Sequence, residues 1–479
     1  MTTRLVPKGR ERERSNQGES MKTTALGSWR ALVVTWLLVA GSTVATAETL
    51  DAFNVDLTKT SVSGISSGGY MANQFHVAYS SIVVGAGILA AGPFYCAKGN
   101  VATALTDCTT PTVANPPDVG YSVRVTQDYA TRAEIDATSH LVNSKVWLFS
   151  GTLDVTVYPV VVDRLYDYYR YFVRPENIVY DKSVVAAHSM VTQDYGHPCA
   201  YQGDGNQPED IFINDCDYDA AGKLLTHILG PLNQPATTVS GSIVAFDQAE
   251  FISDPVGHSM NPAGYAYIPA DCDDGAACRV HVAFHGCRQQ PARIGDKFYV
   301  NAGYNRWADT NRIIVLYPQT INSDLPPVYN PRGCWDWWGY DDANFAKRSG
   351  RQMRAVKLML DRLASGYSGA VPHPASNLNA ATISDRTVAL RWTRSNGPRL
   401  AGYNIYYSTN AAGPFARAGT TNDVEATVTG LAPGTTYYFA VRAESRRNVE
   451  SADSNLAGAT TPGLPPLPGE LTPVVAILP

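Results

Sequence analysis

Thr60-Ser61-Val62-Ser63-Gly64-Ile65-Ser66-Ser67-Gly68-Gly69-Tyr70-Met71 reads as a β-branched strand that runs into Gly64-Ile65-Ser66-Ser67-Gly68 and continues as a helix. This is the pattern of a nucleophile elbow: a serine at a strained strand-to-helix turn lifts its hydroxyl off the sheet edge, and the flanking glycines remove the Cβ clashes the turn would create. Ser66 is the central residue. The next amide, Ser67 N–H, opens the helix and points where an acyl oxyanion would form. A chance Gly/Ser-rich loop is the competing reading, and the apolar approach to Ser66 and the partners described below favour the elbow.

A chain of 479 residues exceeds one ordinary core and suggests two folded domains plus tails. With 38 Lys and Arg against 43 Asp and Glu, the net charge is -5. That balance gives neither nucleic acid nor an anionic membrane a basic face to bind. The one basic run, Arg4 to Arg14, precedes Lys22, Arg30, an apolar stretch from Ala31 to Ala40 and Ala45-Thr46-Ala47. These make residues 1–47 an N-terminal extension plus a secretory signal cleaved after Ala47, with Met21 as the expected start. An uncleaved anchor is the alternative, but the apolar run is too short to span a bilayer. The mature chain is therefore expected without a membrane span, in the periplasm or outside the cell.

All eight cysteines fall in the exported part, an even number that suits an oxidising compartment. Spacing pairs Cys96 with Cys108, Cys199 with Cys216 and Cys272 with Cys278, which leaves Cys287 for Cys334. A zinc site is the other use of cysteine, but the paired Cys/His spacings it needs are missing. No metal or other cofactor is expected.

Residues 48–371 alternate apolar strands with amphipathic helices, the pattern of an α/β domain. Val146–Phe149, Val280–Phe284 and Ile313–Tyr317 read as buried parallel strands, and Arg351 to Leu363 as a helix whose apolar face carries Met353, Val356, Leu358, Met359 and Leu363. Pro372-His373-Pro374 marks a boundary, after which short strands separated by turns fill residues 372–461. Trp392, Tyr403-Asn404-Ile405-Tyr406-Tyr407 and the run from Leu431 to Val441 match a fibronectin type III sandwich with a tyrosine corner at Tyr437. Residues 462–479 form a Pro-rich tail.

A serine nucleophile needs a histidine to take its proton and an acid to orient that histidine. Lys145 to Asp154 is a strand running into a turn that presents Asp154, and the loop after the strand Asn177–Tyr180 carries His188. Both follow Ser66 in the chain order of α/β-hydrolases. Among nine histidines, His197 is the nearest competitor, and Asp154 also suits a simple turn-former. The loop that usually donates the second oxyanion amide precedes the nucleophile. Here the matching turn, His285-Gly286-Cys287, comes long after it. The expected fold is therefore a circularly permuted α/β-hydrolase, in which the helix from Arg351 takes the place before the nucleophile strand and Cys287 N–H partners Ser67 N–H. A Cys287–Cys334 disulfide would hold that turn against Trp335-Asp336-Trp337-Trp338-Gly339-Tyr340. Trp335, Trp337, Trp338 and Tyr340 are candidate substrate contacts, with at least one tryptophan expected to be exposed and core packing as the alternative.

Together these motifs resemble extracellular poly(3-hydroxybutyrate) depolymerases. The resemblance runs over nearly all of residues 50–365 through the elbow, Gly92-Pro93, the Asp154 turn, Phe284 to Gln290, Gly303-Tyr304-Asn305, Trp307-Ala308-Asp309 and Cys334 to Tyr340. It implies Ser66 as nucleophile, Asp154 and His188 as its partners, the Ser67 and Cys287 amides as oxyanion hole, and a polyester or its oligomers as substrate. The fibronectin-like module fits the spacer such enzymes carry. A polymer-binding domain normally follows that spacer, and the short tail here leads to an expectation of weak adsorption to crystalline polymer. A feruloyl or acetyl esterase of the same fold, and a non-catalytic surface-binding protein, are the competing functions.

Overall fold

Eight short apolar strands build the central sheet in the computed structural model, which describes residues 49–464 apart from 114, 204, 208, 325, 327, 366–370, 396–399 and 446–447. The expected signal segment, and the Pro-rich tail beyond residue 464, lie outside the described residues. In chain order the first strands are β1 (Thr60–Ile65), β2 (Val83–Leu89), β3 (Lys145–Phe149) and β4 (Ile178–Asp181). A small three-stranded sheet follows, made of β5 (Met190–Thr192), β6 (His197–Pro198) and β7 (Ile213–Asp215). The main sheet then resumes with β8 (Ser242–Asp247), β9 (Ala263–Ile268), β10 (Arg279–Phe284) and β11 (Ile313–Tyr317). Its order is β4-β3-β2-β1-β10-β11-β9-β8.

All the strands expected from sequence form; β3 and β10 pair in parallel with both neighbours as their unbroken apolar character required, whereas β11 is parallel to β10 but antiparallel to β9, which with β8 makes an antiparallel edge on the sheet. Side chains alternate between two cores. Val62, Ile88, Val146, Leu148, Val280 and Val282 enter one, while Ile65, Leu89, Trp147, Phe149, Val315 and Tyr317 enter the other. The strand Thr60–Ile65 is buried throughout because helices cover both faces.

The permutation is explicit in this order. β1, first in sequence, lies between β2 and β10, so the strand bearing His285-Gly286-Cys287 flanks the Ser66 strand although some 220 residues separate their paired positions Ser61 and His281. The helix Arg351–Ala364 returns the chain to the segment that leads into β1: Phe53 N–H donates to Leu363 O at 2.7 Å and Arg362 Nη1 to Leu50 O at 3.1 Å. Ends that meet at a surface make such a reordering inexpensive. Met353, Val356, Met359 and Leu363 of this helix are buried as expected, but Leu358 is 37% exposed and lies off the apolar face.

β12 (Ser376–Ser384), β13 (Thr387–Thr393), β14 (Leu400–Ser408), β15 (Ala416–Thr421), β16 (Glu425–Val428), β17 (Thr436–Ser445) and β18 (Ala457–Thr460) form a sandwich of two sheets, β12-β13-β16 and β15-β14-β17-β18. Its core gathers Val388, Leu390, Trp392, Tyr403, Tyr437, Phe439 and Val441. The tyrosine corner is present: Tyr437 OH accepts the Ala432 N–H at 2.9 Å. Among the described residues, no helix is long and apolar enough to cross a membrane. The four disulfides pair the cysteines as their spacing indicated.

Candidate active site

Ser66 has φ 56° and ψ -124°, a positive-φ conformation that a residue bearing Cβ adopts only under constraint. The constraint is visible. Ser66 N–H donates to Leu89 O at 3.0 Å, Tyr70 N–H closes the first helical turn onto Ser66 O at 2.9 Å, and strand and helix on either side are packed. Between residues 60 and 80 Ser66 is unique in not being buried until the exposed loop begins at Ser81. Gly68 supplies the clearance: a Cβ there would lie 2.3 Å from Phe284 O and 2.4 Å from His285 O. Gly68→Ala should therefore push the helix start away from β10 and destabilise the protein by about 1–3 kcal/mol. Denaturant unfolding checks this, and an unchanged midpoint would contradict the close approach.

Asp154 and His188 meet at the same carboxyl edge of the sheet, in the turns after β3 and β4. His188 Nδ1 lies 2.8 Å from Asp154 Oδ2, with both side chains buried. The other carboxylate oxygen accepts Thr156 N–H at 2.9 Å and Val157 N–H at 2.8 Å, which fixes the acid's rotamer. With Asp154 accepting from Nδ1–H, the tautomer leaves the Nε2 lone pair free to take a proton. The histidine's loop is held in turn: Leu153 N–H donates to Ala186 O at 3.0 Å, and Ala187 N–H to Cys199 O at 3.0 Å, inside the Cys199–Cys216 disulfide. His197 is placed differently. Its Nε2 lies 2.6 Å from Glu209 O and its ring stacks on Tyr201, so it bonds a backbone carbonyl where a catalytic base would be held by a carboxylate.

The turn after β10 brings Gly286 against the elbow, where an added Cβ would sit 3.4 Å from Ser66 Cβ. His285 is fully buried, burial lowers its pKa to about 4, and its neutral ring accepts Thr320 N–H at Nε2 (3.2 Å) and donates from Nδ1 to Gly286 O (2.8 Å). The Gly286 N–H goes to Gln289 Oε1 at 2.7 Å. With both polar groups of Gly286 engaged, and Arg288 N–H and Gln289 N–H bonded to Arg332 O and Gly286 O, Cys287 N–H is the amide of this turn with no partner among the described residues, which makes it and Ser67 N–H the candidate oxyanion donors. Cys287 is tied to Cys334, closing a 47-residue loop, a constraint of about 4 kcal/mol by loop-closure entropy.

Below the elbow, Ser61 and Ser63 of β1 bond the two ring nitrogens of His281 on β10 at 2.8 and 2.7 Å, and Ser63 also meets Tyr304 OH at 2.7 Å. Burial lowers the His281 pKa to about 3, so the ring stays neutral. This clamp sets the register between the Ser66 strand and the strand bearing Cys287. Sequence reasoning missed it, although serines at the alternate positions 61 and 63 and a histidine inside the apolar run Val280–Phe284 were the available signal.

Two of the three candidate tryptophan contacts prove to be core residues. Trp335 is completely buried and donates from Nε1 to His285 O at 3.1 Å, and Trp337 is buried with its ring stacked on Tyr70 at 3.9 Å. Neither is an exposed platform. The cause is Asp336, whose carboxylate accepts the N–H groups of Gly339, Tyr340, Asp341 and Asp342 at 2.7–3.2 Å and folds the segment into a turn that directs both indoles inward. Tyr340 is committed as well, its OH donating to Cys334 O at 2.8 Å. Trp338 alone of the three tryptophans is partly exposed.

A mostly parallel sheet helix-covered on both faces, a serine elbow, an Asp–His pair on later turns and a displaced His-Gly-Cys turn define a circularly permuted α/β-hydrolase. Comparison with known proteins agrees. The fibronectin type III domain family matches residues 372–456. A poly(3-hydroxybutyrate) depolymerase of Delftia acidovorans is 42% identical over 424 residues, covering 86% of this chain and 81% of that protein. A polyhydroxybutyrate depolymerase of Talaromyces funiculosus is 35% identical over 350 residues, covering 70% of this chain and 98% of its own length. The solved structure of a PHB depolymerase complexed with an R3HB trimer superposes with a TM-score of 0.61 at 34% identity, over 66% of this chain and 99% of that one. The chain belongs to the poly(3-hydroxybutyrate) depolymerase family.

Proposed function

We propose that this protein is a secreted serine esterase that hydrolyses poly(3-hydroxybutyrate) and its oligomers. The observation that carries the chemistry is the buried Asp154–His188 pair on the same sheet edge as the strained Ser66; family membership carries the substrate. Ser66 Oγ attacks the ester carbonyl and His188 Nε2 takes its proton. The oxyanion is stabilised by Ser67 N–H and Cys287 N–H, and His188 returns the proton to the departing hydroxyl of the chain. Water, deprotonated by His188, then releases the 3-hydroxyacyl group from Ser66. Asp154 holds the ring and stabilises its cationic form.

Three further features support this reading. Leu153, Val155, Tyr158 and Val185 are exposed apolar side chains next to the acid and histidine in the chain, a surrounding that suits an aliphatic polyester. A protein that only bound its target would have no use for the strain at Ser66, worth on the order of 1–3 kcal/mol. Four disulfides and the signal-like N-terminus support export. Release of 3-hydroxybutyrate from polymer granules, beside feruloyl and acetyl esters, tests the substrate: hydrolysis of the aromatic ester alone would overturn it.

Residues 372–461 serve as a spacer in this reading, because the sandwich packs its own core and contributes nothing to the site. Truncation after Val371 should leave kcat on p-nitrophenyl butyrate within about twofold. A large loss on this soluble ester would contradict the spacer role.

A further inference from the structure

We propose that Gln289 is the positioning residue of the oxyanion hole, fixing the turn that presents Cys287 N–H and locking it to the loop beside His188. The inference rests on the serine esterase reading and names a part that reading did not use. Gln289 is 1% exposed, and three of its four hydrogen-bonding valences are used: Oε1 accepts Gly286 N–H at 2.7 Å, and Nε2 donates to Ile211 O at 3.1 Å and Phe212 O at 2.9 Å. This assigns the amide without ambiguity, since the oxygen must face the N–H and the nitrogen the two carbonyls.

Each end of the side chain bears on the chemistry. At the oxygen end, Gln289 takes the Gly286 amide while His285 takes the Gly286 carbonyl, so the peptide between Gly286 and Cys287 is held and the Cys287 N–H has one direction left to point. At the nitrogen end, Phe212 O also accepts Met190 N–H at 2.9 Å, two residues after His188, and the Phe212 ring meets the His188 ring edge-on at 6.3 Å. One side chain thus links the amide that receives the developing charge to the loop that carries the base. A transition-state donor is effective only if it is fixed before charge develops.

Gln289→Glu has nearly the same shape but turns a carboxylate oxygen toward two carbonyls, so the side chain can no longer hold both ends. Gln289→Met removes both ends without adding charge. On p-nitrophenyl butyrate each should lower kcat on the order of 10²-fold with KM changed less than about threefold, the signature of a transition-state donor displaced. Gln248 is the structural comparison: equally buried, it donates to Gln319 O at 2.9 Å and accepts Gln319 N–H at 3.0 Å, and its bonds run to Asn261 and Gln319 where those of Gln289 run to Gly286, Ile211 and Phe212. Gln248→Glu and Gln248→Met should lose stability but keep kcat within about twofold. A Gln289 variant that keeps wild-type kcat, an equal loss of kcat in the Gln248 variants, or failure of both Gln289 variants to fold where the Gln248 variants fold would each overturn the proposal. Ser66→Ala runs alongside: an active Ser66→Ala enzyme would overturn the esterase reading and this proposal with it, whereas an inactive one beside a fully active Gln289→Glu overturns this proposal alone.

Discussion

Ser66→Ala is expected to lower kcat on a soluble butyrate ester by about 10⁴–10⁶-fold, leaving the unfolding midpoint nearly unchanged. The hydroxyl is the one group at the elbow placed to attack, while the residue's structural part is its backbone: Ser66 N–H on Leu89 O and Ser66 O under Tyr70 N–H persist in alanine. Alanine also carries the same Cβ into the same positive φ, so the strain does not change. Ser67→Ala is the contrast. Its Oγ is buried without a hydrogen-bond partner and its proposed part uses only the backbone N–H, so kcat should fall by less than about tenfold. Purified variants assayed on p-nitrophenyl butyrate, with thermal unfolding to confirm the fold, decide the matter. Residual Ser66→Ala activity above a few per cent would remove Ser66 from the role of nucleophile.

What the sequence revealed and what it hid divide along a physical line. The elbow was legible because Gly64, Ser66 and Gly68 answer to a local steric demand, as were β3, β10 and β11, whose unbroken apolar character follows from burial on both faces. Chain order separated His188 from His197, and the structure supplies a reason: one meets a buried carboxylate, the other a backbone carbonyl. The permutation was readable from a single displaced turn, His285-Gly286-Cys287.

The burial of Trp335 and Trp337 was hidden because an aromatic run beside a turn gives no indication of which way it faces. That depended on Asp336 gathering four amides, and an aspartate among aromatics looks the same in sequence whether it is solvated or buried. Burial even pushes its carboxyl up to about 7, although the four N–H donors favour the charged form. Gln289 was hidden for a related reason. Its partners are Gly286, three residues away, and the carbonyls of Ile211 and Phe212, 78 and 77 residues away, and no periodicity records contacts of the second kind. Local rules expose the candidate reacting groups, whereas the groups that hold them emerge only when distant segments meet.

His188→Ala should likewise lower kcat by about 10⁴-fold or more, and His197→Ala should leave it within about threefold. Without the imidazole, Ser66 has no acceptor for its proton during attack, and the leaving hydroxyl has no donor. His197 is stacked on Tyr201 and bonded to Glu209 O, so its removal is expected to disturb its own loop and to leave proton transfer intact. Asp154→Asn separates orientation from charge. The amide oxygen can still accept from Thr156 and Val157, but only by turning its NH₂ toward His188 Nδ1, which then accepts and moves the ring proton to Nε2. That is the wrong tautomer for a base, so Asp154→Asn should approach the loss seen in His188→Ala, about 10⁴-fold. The double variant His188→Ala with Asp154→Asn should then be little worse than His188→Ala alone, since an orienting acid is useless without its base. Additive losses in the double variant would mean that Asp154 acts independently of His188, and an inactive His197→Ala beside an active His188→Ala would move the base to His197.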